Sequence, residues 1–487
     1  MQFDDITYDE QDHLNYGIRL LKGNSSRQQP GADFNTTMPV SMLNALPRAA
    51  EQWVNPTLEK KDGGESDTRQ GRYVTILATL LLLGYLYCFG KSIAGHLAGC
   101  WAMLLGAIDP NLLAHSRLVT TDLYATLAWV VTLFHLHQWL HKKGNNHFYY
   151  WCIALAISQC CKINNILLYP ISLLAILGYQ LHNGPRNSLK KIWLPLFSFV
   201  SIQLFIINAA FLFYHTGMPL NDYTFSSNFF RGWQHQWFSV IPVPLPQSFI
   251  DTFDLTQYER ESFTGTAQNY LMGELRNQQG FWNYYFYCWI VKTPLLTGAL
   301  VIASASASLL IKQYRRQAFY FLILPSVILI FLLSSSSVQS GYRYLLPVLC
   351  LSLVAAGIFV QKTISRLTKY AGILICIGLG MAALLSFPNY ISYTSEWLWP
   401  TKNAYQYLSD SNLNWGQRHK KIQQIIQQNP AYQFEPTTPV TGKIVVDINK
   451  LTGIIETEKF AWLRNNYLPT AVIEGCYLLY DVKELPR

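Results

Sequence analysis

Seven ionisable residues stand where a chain this apolar would be expected to avoid them. Asp9 and Glu10 are adjacent near the start. Arg117 and Asp122 lie in DPNLLAHSRLVTTDLYAT, residues 109–126, where a polar loop runs into a long apolar run. Lys162 sits in CCKINNILLYP, Lys292 in WIVKTPLL and Arg343 in GYRYLLPV. An ionisable group at the mouth of a membrane span is expensive to bury, so each marks a candidate functional site. Asp9 is the first candidate for a general base, since a carboxylate within hydrogen-bond reach of a hydroxyl can take its proton. Glu10 is its acidic neighbour, and Asp122 is next in line. The cations carry the opposite chemistry. Arginine's planar fork donates two parallel bonds to a phosphate, and lysine offers a compact charge. Together Arg117, Lys162, Lys292 and Arg343 point to an anionic headgroup ligand. Each assignment has a plainer alternative. Lysine and arginine at span ends snorkel to the interface, Asp9 and Glu10 favour a helix N-terminus, and Asp122 could simply pair with Arg117.

The elements that position these residues are set by the apolar pattern. Half of the 487 residues are hydrophobic and only 13% are charged, against about a quarter charged in a soluble domain. The apolar residues fall in blocks of roughly 17–25, the length that crosses a hydrocarbon core. Blocks at Tyr73–Phe89, Ile93–Ile108, Val119–Trp139, Phe148–Cys161, Ile163–Leu181, Ile192–Tyr214, Phe286–Ile311, Ala318–Ser334, Tyr344–Val360 and Ala371–Phe387 predict about ten spans. The fold class expected is an all-α polytopic membrane protein with a small α+β extramembrane domain at the C-terminal end. Three regions follow: a polar segment 1–72, a transmembrane core 73–388 and a tail 389–487. In the first, Thr7 and Glu10 fit a capping box, and Leu14, Ile18 and Leu21 recur at helical spacing up to Gly23. This predicts a short amphipathic helix along the membrane surface. The charged stretch Glu59–Arg72 reads as a loop.

Loop charge fixes the orientation. Lys91; Lys142 and Lys143; Arg186, Lys190 and Lys191; Lys312, Arg315 and Arg316; and Lys362, Arg366 and Lys369 fall in alternate loops. The positive-inside rule makes these cytoplasmic. All seven candidate residues then lie at the outer face. Other classes find little support. His13, His96, His115 and His135 lack zinc-type spacing, Gly90–Ser92 is not a phosphate-binding loop, and no nucleic-acid module is visible. Eight of the nine cysteines sit in or beside apolar blocks, where cysteine acts as a small hydrophobe. No cleavable signal peptide is expected, because the first apolar run begins near Tyr73. Neither a metal nor any other cofactor is called for.

At these residues the chain resembles the polyprenyl-phosphate-dependent membrane glycosyltransferases, and most of all family 39, which includes the dolichyl-phosphate-mannose–protein mannosyltransferases and their bacterial relatives. TYDEQDHLNYGIRLL is similar to the family's acidic-pair segment, which maps its catalytic Asp onto Asp9 and the neighbour onto Glu10. DPNLLAHSRLVTTD is similar to its second motif, carrying Arg117 and Asp122. CKINNILLYP, YLMGELRNQQGFWNYYFYCWIVKTPL and GYRYLLPV resemble later segments, and SDSNLNWGQ at Ser409–Gln417 resembles a tail motif of bacterial members. The resemblance spans about residues 7–420. It implies the GT-C fold and transfer of a sugar, with inversion, from a polyprenyl-phosphate carrier to a hydroxyl-bearing protein or glycan acceptor. It also implies a bacterial inner (plasma) membrane with the active face periplasmic or extracellular, and no nucleotide site.

Two departures qualify the resemblance. The family places a span before the acidic pair, whereas eight residues precede Asp9 here, so an apolar segment encoded upstream or its loss is expected. The family's His-Pro-Pro-Leu turn is replaced by TMPVSMLNALP, Thr37–Pro47, which lacks its His and the nearby Lys. Two alternatives stand beside the enzyme: a lipid-linked-sugar transporter, which would carry internal repeats, and an inactive relative that scaffolds a cell-envelope assembly.

Overall fold

The computed structural model describes residues 4–27, 37–55, 63–141, 146–183, 193–262, 268–363 and 366–485. The loop cations Lys142, Lys143, Arg186, Lys190 and Lys191 lie outside this set. Each of the ten apolar blocks is helical over most of its described length. Among the described residues four helices, Glu65–Ala94, Ile163–Leu181, Arg315–Ser334 and Tyr342–Val360, are long and apolar enough to cross a membrane. Shorter apolar helices run over His96–Ile108, Leu194–Ala210, Leu295–Ala307 and Ile373–Ser386. Tyr342–Val360 has 78% of its apolar window buried, against 28–39% for the other three, which makes it the centre of the bundle. The core around it includes Leu346, Leu349, Leu353, Val354, Leu86 and Trp129.

Three expectations need correction. The block Phe286–Ile311 is not one helix but two, Tyr284–Lys292 and Leu295–Leu310. Pro294 has no N–H to continue the ladder, so the helix stops before it and restarts after it. The stretch Glu59–Arg72 is not loop throughout. From Glu65 it is the first two turns of Glu65–Ala94, because the Asp67 carboxylate accepts the Gly64 N–H at 2.7 Å and supplies negative charge to the helix start. The predicted capping box is only half made. Glu10 does accept the Thr7 N–H at 2.8 Å, but the Thr7 hydroxyl also turns to Glu10, and the helix begins at Glu10.

That first helix, Glu10–Leu21, buries Leu14 and Ile18 against Ala45 and Val119. A second helix, Ser41–Val54, crosses it at Gly17, where an added Cβ would lie 2.3 Å from the Ser41 carbonyl oxygen. The TMPV turn ahead of it lies beside the Lys162 loop, with the Val40 N–H donating to the Cys160 carbonyl at 3.0 Å.

The tail forms a four-stranded sheet with spatial order Tyr432–Phe434, Gly442–Asp447, Tyr477–Val482, Ala471–Ile473. The first pair is parallel and the others antiparallel. Alternation on the central strand sends Ile444 and Val446 toward Phe460 and Leu463, and Val445 toward Ile422 of the helix His419–Gln428. The N-terminal segment lies along the tail. Asp5 N–H donates to the Gln417 carbonyl at 3.0 Å and Tyr8 N–H to the Trp415 carbonyl at 3.2 Å. Asp4 pairs with Arg117 and, at 3.2 Å, with Arg418.

Candidate active site

Four of the seven residues come together at one end of the bundle. Asp122 is the first residue of the helix Asp122–His141, where the positive end of the helix favours its carboxylate. Lys162 is bonded to Asp122, and its ammonium lies 3.7 Å from the centre of the Tyr344 ring. Arg343 donates Nη1 to Asp9 Oδ2 at 2.8 Å and has the same nitrogen 3.9 Å from Asp122. Asp122, Lys162, Arg343 and Tyr344 line one open cleft of about 300 Å³, with Leu329, Leu333 and Pro347 as an apolar wall.

Local sequence explains the placement of each cation. Lys162 follows the end of helix Asn146–Gln159 in extended backbone, and Asn165 knots the turn behind it. Asn165 receives Trp129 Nε1 at 2.9 Å, donates to the Ser158 carbonyl at 2.9 Å, and donates its N–H to the Lys162 carbonyl at 3.0 Å. Arg343 sits on the single turn Tyr342–Leu345, entered through Gly341 at φ +83°. Both cations keep donors in reserve. Among the described residues Arg343 Nη2 meets no protein acceptor, and the Lys162 ammonium bonds only to Asp122.

The other three candidates are engaged elsewhere. Glu10 is fully buried and saturated: Arg72 gives it Nε at 2.8 Å and Nη2 at 2.6 Å, and the N–H groups of Thr7 and Val119 add bonds at 2.8 and 2.9 Å. Arg117 pairs with Asp4. Lys292 is buried and donates to the Ile391 and Asn412 carbonyls, both at 2.7 Å. All three bind the N-terminal segment or the tail to the core.

Two of the histidines that lack zinc-type spacing, His13 and His115, are buried. His13 follows Asp9 by one helical turn, with its N–H on the Asp9 carbonyl at 3.2 Å. Its pKa is lowered to about 4, first by burial and then by the Arg343 and Lys162 charges. His115 is held down to about 4 for the same reasons, with Lys292 adding to the effect. Both are therefore neutral at neutral pH, so Lys162 and Arg343 are the cations that face the cleft. The four-residue spacing of Asp9 and His13 was the available signal for the first. Among the described residues, no three His, Cys, Asp or Glu side chains converge where they could share a metal ion.

The helical bundle has a GT-C-type fold, like that of ArnT. The matches are specific about the relatives. The family model of dolichyl-phosphate-mannose-protein mannosyltransferase matches residues 64–211, which include Arg117, Asp122 and Lys162. ArnT from Cupriavidus metallidurans bound to undecaprenyl phosphate has 11% identity and a TM-score of 0.51, over 100% of this chain and 96% of that one. ArnT in the apo state matches at 12% identity and TM-score 0.49, over 82% of this chain and 62% of that one. The apo oligosaccharyltransferase of Archaeoglobus fulgidus matches at 12% identity and TM-score 0.49, over 80% of this chain and 52% of that one. The chain thus spans less than two thirds of the length of these last two. A comparison with curated proteins finds no match. The family model over residues 64–211 and the shared fold are both resemblances to membrane glycosyltransferases, and neither match is to a transporter or a scaffold.

Proposed function

We propose that the protein transfers a sugar from a polyprenyl-phosphate carrier to a hydroxyl group of a protein or glycan acceptor. The observation that carries this reading is the cleft itself, where Lys162, bonded to Asp122, and the half-buried Arg343, 2.8 Å from Asp9 and 3.9 Å from Asp122, keep unused donors. Lys162 and Arg343 hold the carrier phosphate. The acceptor oxygen attacks the anomeric carbon and gives its proton to Asp9. The bond from that carbon to the phosphate oxygen breaks, and the electron pair leaves with the carrier phosphate, whose growing charge the same two cations stabilise. Asp122 fixes Lys162 and restrains Arg343, so that base and leaving-group site adjoin one guanidinium before substrate binds. The bound undecaprenyl phosphate of the structurally similar ArnT supports this donor class.

The experiment is undecaprenyl-phosphate binding to the full chain in nanodiscs. Lys162→Ala and Arg343→Ala should each weaken it by about 10–100-fold, since a charged hydrogen bond contributes about 1.5–3 kcal/mol. Unchanged affinity in both variants would leave the two residues as snorkelling cations and remove the basis of the proposal.

The proposed topology is ten spans with the cleft on the non-cytoplasmic face of a bacterial inner membrane, supported by the loop charges. Regions 1–72 and 389–487 then share that face. Cysteines introduced at the exposed positions Ser66 and Gln433 should both react with an impermeant thiol reagent added from that side. Protection of either position in intact membranes would reverse the orientation.

A further inference from the structure

The tail segment Ser409–Gln417 plays no part in the chemistry above, yet it reaches the site. Trp415 is buried, and the guanidinium carbon of Arg343 lies 4.3 Å from the centre of its ring. The turn carrying Arg343 rests on the same segment at further points. Arg343 Nε donates to the Ser340 carbonyl at 3.0 Å, and Ser411 Oγ donates to that same carbonyl at 3.1 Å. The Tyr342 N–H donates to Asn412 Oδ1 at 2.9 Å. Gly341 has no side chain to obstruct this, whereas a Cβ there would come 2.9 Å from the Asn412 oxygen.

The segment is itself held by the small sheet domain. Asn449, just past the central strand, accepts Ser409 Oγ at 3.0 Å and the Asp410 N–H at 2.8 Å, and donates to the Asn414 carbonyl at 2.9 Å. Asn414 donates to Asp447 at 2.7 Å. Trp415 gives its N–H to Gln417 at 2.6 Å and its carbonyl to Tyr8, the residue before Asp9. A continuous set of hydrogen bonds thus runs from the sheet to the two residues proposed to act on donor and acceptor.

A guanidinium between two carboxylates can swing toward either one. An aromatic face opposes that motion, because the ring quadrupole attracts the cation and flat stacking restricts its rotation. We propose that Trp415 is a positioning residue whose indole face fixes the Arg343 guanidinium across Asp9 and Asp122, making the C-terminal sheet domain a structural part of the phosphate site. This rests on the phosphate-binding role of Arg343 proposed above. The plainer role is filling, since Trp415 also packs with Ala114, Leu118 and Ile391.

Two variants separate the roles. Trp415→Leu keeps an apolar filler and removes the ring face, while Trp415→Phe keeps a face. Undecaprenyl-phosphate affinity should fall about tenfold in Trp415→Leu and two- to threefold in Trp415→Phe. In an Arg343→Met background, Trp415→Leu should cost nothing further, and the same pair should be non-additive in thermal unfolding of the solubilised full chain. Equal losses for Leu and Phe, or an undiminished Trp415→Leu effect in the Arg343→Met background, would overturn the inference while leaving the proposed function standing. If Arg343→Met leaves donor affinity unchanged, the phosphate-binding role of Arg343 fails instead. The unfolding cycle then decides the contact: non-additivity supports the positioning role, and additivity overturns it.

Discussion

Purified Asp9→Asn protein is expected to lose about 10²–10⁴-fold of its transfer rate, the usual cost of removing a general base, while its affinity for undecaprenyl phosphate stays within a few fold of wild type. The asymmetry follows from the geometry. Asp9 meets the cleft through Arg343, whose Nη1 donates to Asp9 Oδ2 at 2.8 Å. An amide oxygen can accept that same bond, so the guanidinium keeps its place and the phosphate its ligand. What the amide cannot do is take up a proton. The assay is transfer of labelled sugar from a defined lipid carrier, paired with donor binding on the same preparation. Full turnover by Asp9→Asn would move the base to Asp122.

Glu10→Ala is expected to behave in the opposite way, destabilising the fold by about 3–5 kcal/mol, the typical cost of removing one partner of a buried ion pair. Arg72 and Glu10 are both completely buried, and the pair is bidentate. Removing the carboxylate leaves the buried Arg72 charge with only the Asp4 and Asp5 carbonyls and strands the N–H groups of Thr7 and Val119. Glu10→Gln gives little relief, because an amide replaces one acceptor oxygen with a donor facing Arg72. Thermal unfolding of the detergent-solubilised protein reads the loss directly. A wild-type melting temperature for Glu10→Ala would show that Arg72 finds another partner and that Glu10 is not what holds the segment. The two neighbouring acids are thus distinguished by which property fails, rate for Asp9 and stability for Glu10.

Sequence alone could not make that distinction, and the reason is physical. Glu10 and Asp9 look alike in a pattern search because their partners are remote: Arg72 is 62 positions away and Arg343 is 334. Arg117 and Lys292 stood out as cations at span ends, but nothing local foretold that Asp4 would take the first, or the Ile391 and Asn412 carbonyls the second. The helices were more legible, since apolar blocks long enough to cross a bilayer are a local signal. Even there the break at Pro294 was readable only by giving the proline precedence over hydropathy. The helical start at Glu65 was obscured by the charged, glycine-containing stretch before it. Asp122 and Lys162 are 40 positions apart, and their meeting depends on how three helices pack. Trp415 lies in a motif that resemblance had marked, yet its contact with Arg343 depends on a sheet domain folding back over the bundle.

The pairing of the N-terminal segment with the tail has a consequence in time. The Lys420 N–H donates to Asp5 at 2.6 Å across 415 positions of chain. At a synthesis rate of about 5–20 residues per second, roughly 20–80 s separate the emergence of those two residues. Throughout that interval the segment bearing Asp9 is without the backbone partners it has in the finished protein, because Trp415 and Gln417 have not yet been made. Its own helix can pack on Ser41–Val54 early, but its final register waits until Trp415, Gln417 and Lys420 have been made. Until then the Asp9–Arg343 pair lacks the support of Trp415, whose carbonyl holds the Tyr8 N–H and whose ring lies against the guanidinium.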